Sequence, residues 1–308
     1  MRTFITKTTF FILPILVIVL SMEILLRNIP NGYLYKKEYL DKHSTEIETL
    51  ILGSSYSFYG LNPDYFTNTT FNASYVSQTL NYDYEILKKY QNSLDNLKTI
   101  ILPISYFTLY AKLEEGVESW RVKNYVIYYG IDKKSFYDNF EVTSNQQINL
   151  KRLYSYYILG HKDLTYSNLG WGTTYKSENA KNLVETGKTT AKRHTRDNIY
   201  SEKNTTIFNE NKLHLKQIIK ICRERNVKLL LFTPPAFETY RHNINIEQYN
   251  TTIETVTKIA SQCDNCIYVN LFDDTSFVAK DFYDADHLSE IGAEKLSKLI
   301  DEKINEWK

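Results

Sequence analysis

The chain is poor in cysteine, with three in 308 residues. Cys263 and Cys266 form one C-x-x-C pair and Cys222 stands alone. With no second pair and no histidine cluster, a zinc site cannot be completed, so neither a metal nor a cofactor is expected. The pair has the spacing of a small disulfide if this part of the chain lies outside the cytoplasm. Cys222, on the apolar side of a helical pattern, reads as core. Charge of one sign is also lacking. A formal net charge of +1 argues against a general nucleic-acid binder, which needs a basic excess to meet phosphates. Long apolar runs are scarce too, and the one that occurs is N-terminal.

Residues 10–26 are almost wholly apolar and follow Arg2 and Lys7. Their number approaches the ~20 needed to span a bilayer, although Pro14, Ser21 and Glu23 interrupt them. A cleavable signal peptide is the competing reading, but Met22-Glu23-Ile24-Leu25-Leu26-Arg27 is a poor cleavage site. A buried core helix is the third. The anchor reading is preferred, with residues 1–29 as the membrane segment. Basic residues ahead of the run favour an N-terminus held inside and an exported domain. Residues 30–46 read as a polar linker.

Tyrosine, in contrast, is abundant, with 26 copies. Amphipathic rings of this kind serve mainly as half-buried packing; stacking on sugars is the alternative for those near Trp171.

The stretch Leu50-Ile51-Leu52-Gly53-Ser54-Ser55-Tyr56-Ser57 organises the rest. A short β-branched and apolar run ends at a glycine, and hydroxyl residues follow. That is the pattern of a buried strand feeding a tight turn that presents a serine. Further strands are expected at 70–74, 98–103, 227–233 and 267–272. Helical patterns lie at 80–97, 212–226 and 246–260, with a last helix capped by Ser289. Strands that read as buried on both faces, alternating with amphipathic helices, imply an α/β fold with a parallel sheet covered on both sides. The rhythm breaks between about residues 106 and 211, which reads as an insertion into the domain at 47–308. Within it, 189–203 is polar and expected to be the most mobile part.

In parallel sheets ligands bind at the carboxyl ends of the strands. Ser54, Ser55, Ala73, Ser74 and Ser105 follow strand ends, and Asp284 and His287 follow the last strand by a loop. A serine hydroxyl is a weak nucleophile near neutral pH. It needs a base within reach and a carboxylate to orient that base. Ser55, His287 and Asp284 supply that set, with Ser54 and Asp286 as the alternatives for nucleophile and orienting acid. The other five histidines, His194 among them, read as surface or structural.

These residues resemble the SGNH (GDSL-type) hydrolases: Gly53-Ser54-Ser55 after a first strand, small residues after the second, and Asp284-x-x-His287 before the last helix. The resemblance covers about residues 48–308, apart from the insertion. It implies a flavodoxin-like three-layer α/β/α sandwich with a Ser-His-Asp triad, Ser55 as nucleophile, His287 as base and Asp284 as orienting acid. It also implies that the backbone N–H of Ser55 and that of Ala73 or Ser74 belong to an oxyanion hole. The family's Gly-x-Asn-Asp motif is missing; Pro103-Ile104-Ser105-Tyr106 stands in its place, with Ser105 where the asparagine donor would be. Losing one such donor can cost about 10²–10³ in rate. The N-terminal anchor and the insertion are most similar to the membrane-anchored branch, which includes the D-alanyl transfer protein of teichoic acid modification and polysaccharide O-acetylation proteins. The implied activity is transfer or removal of an acyl group on a surface glycan, with a membrane-bound O-acyltransferase as partner. A non-catalytic binding or assembly protein on the same fold is the alternative, and a soluble esterase freed by signal cleavage is a third.

Overall fold

The computed structural model describes residues 1–131, 135–144, 146–161 and 164–307. In chain order, α1 (Arg2–Arg27) and α2 (Gly32–His43) precede β1 (Thr49–Ile51), α3 (Ser55–Gly60), β2 (Thr70–Asn72), α4 (Leu80–Tyr90) and β3 (Thr99–Pro103). Then come α5 (Val122–Tyr129), α6 (Gln146–Leu153), α7 (Leu183–His194), α8 (Glu202–Glu224) and β4 (Lys228–Thr233). The chain closes with α9 (Glu238–Arg241), α10 (Ile246–Ser261), β5 (Cys266–Asn270), β6 (Phe282–Asp284), β7 (His287–Leu288) and α11 (Glu290–Glu306). Two compact units divide it. One comprises Met1–Glu38 and Val117–Leu164, the other Tyr39–Gly116 and Thr165–Lys308.

The second unit holds the sheet. Five strands pair in the order β2-β1-β3-β4-β5, every pair parallel. This is the flavodoxin-like strand order, whose direction of winding reverses at β1 and β3. The strands are short but fully buried in β1, β2 and β3; β1 and β3 accordingly read as largely apolar runs, whereas β2 buries Thr70 and Asn72 on either side of Phe71. Ile51, Ile101, Leu230 and Phe232 share a face and pack with Leu296, Ile300 and Ile304 of α11. Leu50, Ile100, Leu229 and Leu231 point the other way by the two-residue period and are equally buried. Amphipathic α8, which buries Ile218, Ile219 and Cys222, packs against β4 and α4. Each such Leu or Ile stabilises the fold by about 1.5–3 kcal/mol. Helices on the sheet's faces complete an α/β fold. Ser289 caps α11 through its hydroxyl, which accepts from the Gly292 N–H at 3.4 Å. Cys263 and Cys266 are joined as a disulfide at the start of β5, which Cys266 opens, and Cys222 is buried.

In the first unit, α1 carries an apolar segment from Phe4 to Arg27 that is long and apolar enough to cross a membrane. Residues 30–46, read as a linker, contain α2. The stretch 106–211 is shared between the units, with 117–164 in the first and the rest in the second. Its polar part, 189–203, is half helical. α7 runs through His194 with Thr190 and Ala191 buried, and α8 begins ten residues earlier than the apolar spacing indicated. Its first turns are polar, with only Ile207 buried before Asn211, so the helix carries little periodic signal there.

Candidate active site

β1 ends in the nucleophile turn. Gly53 has φ +106°, a left-handed conformation that side chains resist, and a Cβ there would collide with the Pro103 ring at the end of β3. Its N–H donates to Asp83 Oδ1 at 2.7 Å, and the same oxygen accepts from Gln78 Nε2 at 2.6 Å. Asp83 is buried on α4. Burial pushes its carboxyl up to about 7, against the pull of the two donors. The turn is therefore fixed from below, and Ser55 opens α3 half-buried.

The partner residues share one hairpin. β6 and β7 pair antiparallel, and a bulge between Phe282 and Asp284 sets Asp284 opposite His287. His287 Nε2 lies 2.8 Å from Ser55 Oγ, and its Nδ1 lies 2.9 Å from Asp284 Oδ1. Asp284 Oδ1 also accepts the backbone N–H of His287 at 2.8 Å. The three residues that the sequence set apart at opposite ends of the domain are thus in line: hydroxyl, imidazole, carboxylate. Burial raises the Asp284 pKa, but the adjacent imidazolium outweighs it and holds the acid at about 2. For His287, burial acts to lower the pKa; the Asp284 and Asp286 carboxylates more than offset this and place it well above the ordinary histidine value.

Asp286 lies near the same ring nitrogen as Asp284. It is buried, with Oδ1 3.5 Å from His287 Nδ1 and Oδ2 accepting from the Tyr56 hydroxyl at 3.0 Å. Burial raises its pKa. Ser54, the other alternative, is the N-cap of α3 and makes no side-chain cap bond. Among the described residues, Asp284, Asp286 and His287 are also the group whose ligand atoms cluster, within 4.8 Å. Both imidazole nitrogens, however, already face Ser55 and the two acids.

The small residues after β2 take a different part from the one expected. The Ala73 N–H donates to Ile51 O at 2.8 Å, carrying the parallel ladder one residue past the strand. The Ser74 N–H turns back to Asn72 Oδ1 at 3.1 Å. Neither amide is left to point at an oxyanion. Asn72 instead ties β2 to α3, its Nδ2 donating to Ser57 O at 2.8 Å and to Leu61 O at 2.9 Å. Ser105 is buried; its N–H and hydroxyl both meet Thr108 Oγ1, at 2.9 and 2.8 Å. It lines a cavity of about 10 Å³ together with Tyr56, Tyr106, Tyr240 and Asp286. The Ser55 N–H, at the start of α3, has no acceptor among the described residues.

Several residues at the site gave no signal in the sequence. His194, read as structural, stacks on Phe107 with ring centroids 3.8 Å apart. Its Nδ1 meets the Tyr240 hydroxyl at 2.8 Å and lies 3.9 Å from Asp286 Oδ2. Burial lowers its pKa well below the ordinary value. Tyr56 stacks on the His287 ring at 5.2 Å and 18°. Tyr59, Tyr175 and Tyr283 form a stack with centroids 3.6 and 3.9 Å apart, and Tyr175 sets its face at 81° to His287, 5.5 Å away.

Tyr175 belongs to a strap, residues 165–181, that crosses α3. The Gly172 N–H donates to Phe58 O at 2.7 Å and the Trp171 indole N–H to Tyr59 O at 2.8 Å. A Cβ at Gly170 would strike the Asn72 carbonyl, and one at Gly172 the Phe58 ring, which explains the Leu169-Gly170-Trp171-Gly172 sequence. Farther on, Ser177 donates from N–H and hydroxyl to Glu290 at 2.6 and 2.8 Å. Trp171 is thus bonded into the strap, with Lys176 over its ring at 5.5 Å.

No family model matches the chain, and no curated protein matches it in sequence. A solved structure that matches in three dimensions is provisionally named as a platelet activating factor from Streptococcus pneumonia. It has a TM-score of 0.45 and 13% identity over 94% of this chain and 98% of that one. A likeness of that size carries no activity from one chain to the other.

Proposed function

We propose that the chain is a serine acyl-enzyme, with Ser55 as nucleophile, His287 as general base and Asp284 as the carboxylate that orients it. The observation that carries this reading is the continuous line of contacts from Ser55 Oγ to His287 Nε2 at 2.8 Å and from His287 Nδ1 to Asp284 Oδ1 at 2.9 Å. As Ser55 Oγ attacks an acyl carbonyl, its proton passes to His287 Nε2, and Asp284 stabilises the imidazolium that forms. The bond from the acyl carbon to its leaving oxygen then breaks, and His287 returns the proton to that oxygen. A second oxygen nucleophile, either water or an acceptor hydroxyl, reverses the sequence and frees Ser55. The Ser55 N–H, at the start of α3, is the amide available to the developing oxyanion.

The resemblance to the membrane-anchored SGNH proteins supports a cell-surface glycan as the site of acyl addition or removal. It equally supports a membrane-bound O-acyltransferase that supplies the acyl group. α1 would hold the protein on the outer face of the membrane, with Arg2 and Lys7 on the inside. One observation favours the other reading, a non-catalytic assembly protein on this fold. Ala73 and Ser74 keep their amides within the fold, and no asparagine stands at residue 105, so an oxyanion would meet few donors.

A fluorophosphonate probe separates the two readings. The full chain in detergent and in native membranes is treated with the probe, and the adduct is located by peptide mass. Labelling at Ser55 that disappears in Ser55→Ala and in His287→Ala supports the enzyme. A folded chain that stays unlabelled in both settings supports the assembly protein.

A further inference from the structure

The apolar character of the first unit does not end with α1. Glu23 is the charged residue that interrupts the N-terminal run, and its carboxylate has a defined task. It accepts the backbone N–H groups of Glu141 and Val142 at 3.1 and 3.0 Å, and Arg27 Nε at 2.6 Å. Arg27 reaches on to Asn139 O at 2.6 Å, and the Tyr157 hydroxyl donates to Leu25 O at 2.9 Å. Residues 136–144 and 146–161 are thereby pinned to the last turns of α1. Behind them Glu141, fully buried, is held by Lys123 at 2.7 Å, Arg152 at 3.0 Å and Tyr128 at 2.8 Å, so the attachment is rigid.

Much of what this segment presents outward is apolar and aromatic, with Gln146, Gln147 and Lys151 exposed among it. Leu150, Tyr154 and Ile158 recur every four residues along α6 and the turn that prolongs it, and are 57, 56 and 69% exposed. Phe136 and Tyr137, on the preceding turn, are 72 and 71% exposed. A groove of about 280 Å³ opens nearby, with Ile29, Pro30, Ile148 and Leu164 on its walls and Lys151 and His161 beside them. Such a surface in water would be a liability. Its position resolves this. From Phe4 to Met22, α1 has the length of a hydrocarbon core, about 28 Å at 1.5 Å per residue. Its last turns, from Glu23, then fall in the head-group zone. Tyrosine, aliphatic side chains and lysine are the composition found there, since the rings are amphipathic and lysine can reach phosphates.

We propose that residues 136–144 and 146–161 are a second membrane contact, a collar lying in the head-group zone around the end of α1, with a phospholipid surface as its occupant. This rests on the reading of α1 as a membrane anchor and extends it. The anchor thereby fixes both the depth and the tilt of the first unit, which a single helix does not.

The test uses the full chain in phosphatidylglycerol–phosphatidylcholine vesicles. Ile158→Cys, Phe136→Cys and, as the anchor reference, Ile15→Cys are each labelled with an environment-sensitive nitrobenzoxadiazole dye. Lipids brominated near the head group should quench Ile158 and Phe136 by about twofold or more, and lipids brominated deep in the acyl chains should quench Ile15, while aqueous iodide quenches all three little. Lipid quenching at Ile15, with Ile158 and Phe136 open to iodide and untouched by the lipids, would overturn the collar and leave the anchor standing. No lipid quenching at any of the three positions overturns both. A partner protein covering this face would give the first of these overturning patterns.

Discussion

His287 carries opposed influences, and its titration makes the triad testable. Acylation needs the neutral imidazole, and two carboxylates hold the proton on the ring to a pH well above the ordinary histidine value. The probe-labelling rate should therefore rise with pH through a midpoint higher than about 6.5. In Asp286→Asn one of the two carboxylates is gone, so that midpoint should move down while labelling persists. In Asp284→Asn the ring loses its orienting acceptor, and labelling should fall on the order of 10³–10⁴-fold. Equal losses in the two variants would contradict the assignment of Asp284 as the orienting acid. Stability follows the same proton. A raised histidine pKa means that the imidazolium–carboxylate pairing contributes fully below about pH 6.5 and is lost as pH rises through the folded-state value. Asp83 obeys the same sign in another window. Its carboxyl, near 3.8 when unfolded and about 7 in the fold, favours the folded state most at low pH, and this is lost between about pH 4 and 7. Thermal melts of Asp83→Asn should show a flatter pH dependence across that range than the parent chain.

At the scale of elements, the site is assembled by three pieces with different sequence signals. The β1 turn was legible because a glycine after an apolar run has few other uses. The β6–β7 hairpin was legible as a pair of residues, Asp284 and His287, but not as strands, since the two are only three and two residues long. The strap was not legible at all. Its contacts run to α3 and α11, more than a hundred residues away on either side, and no local periodicity encodes them. Its glycines are the accessible test. Gly170 has φ +84°, and any side chain there meets the Asn72 carbonyl. Gly170→Ala should destabilise the second unit by about 1–3 kcal/mol in urea unfolding. Because the strap holds Tyr175 against His287, it should also slow probe labelling, whereas Gly130→Ala, where added atoms meet open space, should leave labelling unchanged.

At the scale of the molecule, a chain whose N-terminal helix is exposed, apolar and long enough to cross a membrane is expected, on the anchor reading, to behave as an integral membrane protein. The full chain should resist alkaline carbonate extraction from membranes. If the N-terminus lies inside, as Arg2 and Lys7 indicate, a membrane-impermeant phosphonate probe applied to intact cells should still reach Ser55. Labelling only after the cells are broken would reverse the orientation while leaving the anchor intact.

The sequence by itself determined the parallel α/β sheet and the N-terminal apolar helix and singled out Ser55, Asp284 and His287 as candidates, because these rest on short-range patterns: runs, periods and turn residues. Only the tertiary structure decided which amides remain free. Ala73 and Ser74 look like oxyanion donors in a linear reading, but hydrogen-bond capacity is a property of neighbours, and theirs are Ile51 and Asn72. The same holds for His194, which gains a role only when α7 brings it within 3.9 Å of Asp286. Glu23 is the clearest case. It appears as a flaw in a membrane segment, and in the folded chain it is the acceptor that fastens Glu141 and Val142 to the end of α1, since a buried carboxylate persists only where donors meet it.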